Sequence, residues 1–170
     1  MAPLVRRSWS PRGRTPVLTQ RTRSHQKVSV IAALCVAPDK KPPRLYFRLH
    51  PDANINATSV REFLSHLLKQ RRQPLMLVWD RLLAHRARTV QGFIQNHPRL
   101  HSDFLPAYAP ELNPVEYLWS YLKMNPMANA PFLELDALTQ ATRRHGRSLQ
   151  RKPNLLLAFL NHSPLFTCQK

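Results

Sequence analysis

Residues 103–123 read DFLPAYAPELNPVEYLWSYLK, and the punctuation in this stretch sets the architecture around it. A short strand ends at Phe104 and Leu105, and a loop marked by Pro106 and Pro110 follows. Asn113 and Pro114 then predict a helix start, since an Asn side chain accepts a free first-turn N–H and proline at the first helical position lacks a donor that would go unused. Leu112, Val115, Leu118, Trp119 and Leu122 recur at helical spacing, so one face of this helix meets a core. Glu116 therefore stands in the first turn, near a strand end. Its spacing from Asn113 leaves two roles open: the closing partner of a capping box, or a carboxylate aimed at a site.

Upstream, Leu75–Asp80 reads LMLVWD after Pro74, an apolar run of strand length that predicts a strand buried on both faces of an α/β sheet. It ends in an acid. Ligands of open α/β sheets gather at the carboxyl ends of strands, so Asp80 arrives where a site forms, although taken alone an acid there more often caps the next helix.

The ordered series WDRLLAH at 79–85, a helix, and then the stretch from Asp103 to Lys123 resembles the catalytic core of the Asp-Asp-Glu (DDE) transposases of the bacterial insertion-sequence group related to mariner elements. In that group the second catalytic Asp ends a strand and is followed by a His, and the last acid lies in an Asn-Pro-x-Glu motif with a Trp and a Lys on the same helix. The resemblance implies that Asp80 and Glu116 are catalytic carboxylates that bind metal, that His85 assists them, and that Trp119 and Lys123 are the helix pair, with Lys123 in reach of DNA. It implies two Mg²⁺ or Mn²⁺ ions, hard cations suited to carboxylate oxygens. Trp9, Pro11, Gly13 and Pro16 resemble a stretch that follows the family's first Asp. Nothing acidic precedes Asp39, and neither Asp39 nor Asp52 occupies the first acid's place.

The implied fold is α/β, a ribonuclease H-like mixed sheet flanked by helices and lacking its first, central strand. The Lys27 strand and the Asp80 strand are then expected to lose a pairing partner, and the chain to be inactive and poorly stable alone. The expected function is that of a transposase catalytic-domain fragment for metal-dependent cleavage and transfer of DNA strands. Its partners are transposon ends and target DNA, with a homodimer and a separately encoded upstream part as further expectations. The alternative is a basic, non-catalytic nucleic-acid-binding protein that keeps the fold.

The charge agrees with either reading. The 170 residues carry 26 Lys and Arg against 9 Asp and Glu, a formal +17, and such an excess favours a polyanion because each neutralised phosphate releases counterions. Arg12 and Arg14, in a basic segment that also holds Arg6, Arg7, Arg21, Arg23 and Lys27, and Arg143 and Arg144, grouped with Arg147, Arg151 and Lys152, are candidate phosphate contacts. No apolar run approaches the roughly 20 residues of a membrane span, and a cytoplasmic protein is expected. Cys35 and Cys168 suggest neither a disulfide framework nor a zinc site.

The remaining elements follow from pattern. Lys27–Val36 and Arg44–Leu49 predict antiparallel strands about a turn at 38–43, and Ala57–Gln70 an amphipathic helix. Ala84–Asn96 predicts a helix, Leu100–Leu105 a strand, and Leu133–Arg144 and Asn154–Asn161 two more helices. Trp9 predicts a strand leading into a turn. Residues 1–125 are expected to form the catalytic domain and 126–170 a helical extension.

Overall fold

A computed structural model describes residues 7, 9–14, 27–39, 41–125, 127–129 and 134–167. Arg6, Pro16, Arg21, Arg23, Pro126, Pro131, Leu133 and Cys168 lie outside the described residues. β1 (Val28–Cys35) and β2 (Arg44–Pro51) pair antiparallel, Cys35 standing opposite Arg44. β3 (Leu75–Trp79) and β4 (Leu100–Phe104) pair parallel, Trp79 opposite Phe104. Parallel pairing requires a crossover, and α2 (Leu83–Arg86) with α3 (Arg88–Gln95) provides it. α1 (Ala57–Gln70) joins β2 to β3, its start capped by Asn56, whose Oδ1 accepts the Ser59 N–H at 2.9 Å.

Two cores fix the layers. Val60, Leu64 and Leu68 of α1 and Val90 and Ile94 of α3 bury one face of the β3–β4 pair, and Ile31 of β1 packs into the same cluster as Leu75, Leu77 and Trp79 of β3. The two strand pairs are thus halves of one layer. On the other face of β1 and β2, Val30, Ala32, Phe47 and Leu49 meet α4 (Pro114–Met124), α5 (Leu135–Gln150) and α6 (Pro153–His162). A last short helix, α7 (Pro164–Thr167), follows. Among the described residues no strand lies between β1 and β3, the arrangement expected of a ribonuclease H-like sheet without its central strand.

Four local expectations are corrected. The β3 strand is buried on one face only: Met76 is 65% and Val78 54% exposed, because α4, α5 and α6 pack over β1 and β2 instead. The helix expected over 84–96 breaks at Ala87, whose ψ of 137° is extended and whose carbonyl starts α3 by accepting the Val90 N–H at 2.9 Å. The helix expected to end at Arg144 runs to Gln150, so Arg143, Arg144 and Arg147 belong to α5. Its Gly146 lies against β2, where an added Cβ would stand 2.5 Å from the Phe47 ring. Trp9 forms no strand and is fully exposed, although the turn after it does form, with the Arg14 N–H on the Pro11 carbonyl at 3.0 Å and Gly13 at φ 82°.

Candidate active site

Asp80 leaves β3 one residue past Trp79, beside the end of β4, where the Leu105 N–H bonds the Trp79 carbonyl at 2.8 Å. Two donors converge on one of its oxygens: the Leu82 N–H at 3.1 Å and His85 Nδ1 at 2.8 Å, both to Oδ1. Oδ2 is left with no such donor among the described residues. The His85 bond chiefly, and the Leu82 N–H after it, hold the Asp80 carboxyl below its usual range despite partial burial. His85 is itself held, its ring stacked on Trp79 at 4.5 Å and its carbonyl accepting from Gln91 Nε2 at 2.7 Å. The break at Ala87 separates α2 from α3 just after the turn that carries His85. The Trp79 Nε1 beneath is buried with no partner among the described residues.

Glu116 stands in the first turn of α4. Asn113 caps that helix through Oδ1 to the Val115 N–H at 3.1 Å, while the Asn113 N–H goes to the Pro110 carbonyl at 3.0 Å. The donor a capping box would use is therefore taken, and the Glu116 carboxylate is left for other work. Burial raises its pKa, the negative charge of Asp80 raises it further, and the Lys123 ammonium pulls it back. The charge of Asp80, from a distant segment, thus reaches Glu116, and Lys123, one of the expected helix pair, acts on the same carboxyl.

Asp80 and Glu116 line two cavities together. One, of about 440 Å³, is rimmed by Arg81, Arg86, Tyr108 and Asn113. The other, of about 230 Å³, lies between β1 and β3, with Ile31, Ala32, Val78, Trp79 and His85 in its walls and Trp119 at its α4 side. The donors suit Mg²⁺ or Mn²⁺ in kind, since hard cations take carboxylate oxygens. In number they fall short: among the described residues no three His, Cys, Asp or Glu side chains converge as a metal site. Arg12 and Arg14, exposed in the turn after Trp9, and Arg143 and Arg144, exposed on α5, line neither cavity.

Three residues at the site went unread in the sequence. Arg81 is anchored by its Nε on the Leu105 carbonyl at 3.2 Å and lies over the Phe104 ring at 5.9 Å. Its place directly after Asp80 was the available signal. Arg86 and Tyr108 carried none, because their approach depends on how the loops at 80–87 and 105–110 fold back. Among the described residues no helix is long and apolar enough to cross a membrane.

Residues 2–139 match the family model described as DDE superfamily endonuclease. No curated protein matches the chain. Among solved structures, the Mos1 mariner paired end complex with Mn is similar at a TM-score of 0.59 and 17% identity, over 94% of this chain and 49% of that one. The Mos1 Strand Transfer Complex is similar at 0.54 and 19%, over 95% and 50%. The Mos1 transposase catalytic domain with Raltegravir and Mg is similar at 0.50 and 15%, over 80% and 83%. The chain thus spans about half the length of the first of these. At such identities the likeness is one of fold, the ribonuclease H-like arrangement already described.

Proposed function

The chain belongs to the DDE superfamily endonuclease family, and from that premise we propose that it is the catalytic domain of a transposase of the bacterial insertion-sequence group related to mariner elements, cutting transposon ends and joining them to target DNA. The observation that carries this reading is that Asp80 and Glu116, from distant segments, line the same cavities. In it, the Asp80 and Glu116 carboxylates would hold Mg²⁺ or Mn²⁺, which when bound would supply activation of the attacking oxygen and stabilisation of the leaving one. His85 is a positioning residue that fixes the Asp80 rotamer. Arg81 and Arg86 take the phosphates beside the cut, and Lys123, Arg12, Arg14, Arg143 and Arg144 take the flanking backbone. Residues 1–125 form the catalytic unit and 126–170 its helical extension. The protein works beside its DNA in the cytoplasm, as a homodimer.

All nine acidic residues are among those described, and none joins the pair, so we propose that the chain alone does not cleave. The third carboxylate comes from a separately encoded upstream part, on a strand that enters between β1 and β3. Nicking of terminal-repeat DNA in Mg²⁺ or Mn²⁺ tests this. The expected result is none from the chain alone, and nicking once a strand ending in Asp is fused ahead of it, lost again in Asp80→Asn. Robust nicking by the chain alone contradicts the incomplete site. A folded, metal-binding fusion that stays inert contradicts the transposase reading, and favours the non-catalytic DNA-binding alternative that the missing ligand also suits.

A further inference from the structure

Tyr108 gives the fold nothing and stands at the mouth of the site. Its side chain is fully exposed, at 102% of the reference area, and among the described residues its ring meets no other ring. Its backbone lies in the left-handed region at φ 59°, which a bulky side chain disfavours. The loop that holds it there is pinned on both sides: Leu105 is buried at 4%, and the 3-10 turn at Pro110–Leu112 is closed by the Leu112 N–H on the Ala109 carbonyl at 3.2 Å. Non-glycine residues held in this way cluster at ligand clamps. The clamp here faces the 440 Å³ cavity that Tyr108 shares with Asp80, Glu116, Arg81 and Arg86.

Two carboxylates, two guanidinium groups and one free aromatic face match the parts of a nucleotide. The carboxylates take the cation, the guanidiniums take phosphate, and the ring has a flat apolar surface for a base. A base within a duplex has both faces covered, so only an unstacked one can lie on the ring. We propose that Tyr108 is a stacking platform for an unpaired nucleobase next to the phosphate at Asp80 and Glu116, and that the site therefore takes DNA whose strands are parted at the cut. This rests on the DNA-processing reading above.

The test compares two oligonucleotides in Mg²⁺, a fully paired duplex and a duplex with a short single-stranded 3′ extension carrying 2-aminopurine. The parent chain is expected to bind the extended duplex more tightly and to quench the probe. Tyr108→Phe, which keeps the ring and loses the hydroxyl, retains both effects. Tyr108→Ala loses the quenching and about tenfold in affinity for the extended duplex, within the range seen when a base-stacking aromatic is truncated, while affinity for the paired duplex stays within about twofold. Tyr108→Gly, which also relieves the backbone, behaves as Tyr108→Ala. Unchanged quenching in Tyr108→Ala, or equal losses on both oligonucleotides, overturns the platform and leaves the carboxylate site standing. A parent that binds neither oligonucleotide overturns the DNA-processing reading, and the platform with it.

Discussion

Asp80 and Glu116 are opposite cases of one carboxylate chemistry. Asp80 is held below its ordinary value by His85, so its ionised form stabilises the fold above the ordinary aspartate range, and that contribution is lost as pH falls through the depressed value. His85→Ala is therefore expected to lower the melting temperature at neutral pH, with the deficit shrinking in acid, and thermal melts across pH read this directly. Glu116 is raised from 4.5 by burial and by Asp80, so folding is favoured with its proton on and loses ground as pH rises through the raised value. Glu116→Gln is expected to raise the melting temperature of the metal-free protein at neutral pH and to leave it unchanged below about pH 4. A Glu116→Gln variant less stable than its parent at neutral pH would contradict the electrostatic account. Both acids were legible in the sequence because each sits at an element boundary, one ending a strand and one opening a helix. The capping box that the spacing allowed is not formed, because the Asn113 N–H it would use is bonded to the Pro110 carbonyl, which no spacing displays.

Elements were legible where pattern and packing agree. α1 matches its predicted bounds because its apolar stripe and its Asn56 cap lie in the same few residues. The break between α2 and α3 was not, since Ala87 is a residue type that favours helix; Gln91 on the His85 carbonyl and His85 on Asp80 brace the chain on either side of it. The length of α5 was missed as well. Gly146 sits mid-helix because Phe47 of β2 occupies the space of its Cβ, a contact with a strand far away in sequence. Gly146→Ala, worth about 1 kcal/mol of gain on an exposed helix, is here expected to cost about 1–3 kcal/mol by overpacking. Denaturant unfolding measures this, and Phe47→Leu in the same chain should recover part of the loss. A stabilised Gly146→Ala would show that the ring yields freely.

At the scale of the molecule, one layer is split into an antiparallel and a parallel pair, with both carboxylates at the cavity between them. The family resemblance pointed to this split, through the expectation that the Lys27 strand and the Asp80 strand would lose a partner between them. The sequence did not carry the exposed Met76 and Val78 face, because an apolar run reads as buried on both sides whether or not anything lies there to cover it. Arg81 and Arg86 rim the cavity that holds the two acids, and in the proposed function a divalent cation would reconcile those acids with a phosphate. The proposed function requires that Asp80 and Glu116 both take part in binding the cation. Calorimetric titration of the purified chain with Mn²⁺ near pH 7.5 tests that claim most directly. The expected result is binding that weakens as pH falls toward the raised Glu116 value and that disappears in both Asp80→Asn and Glu116→Gln. No binding by the parent, or binding that survives either substitution unchanged, would contradict it.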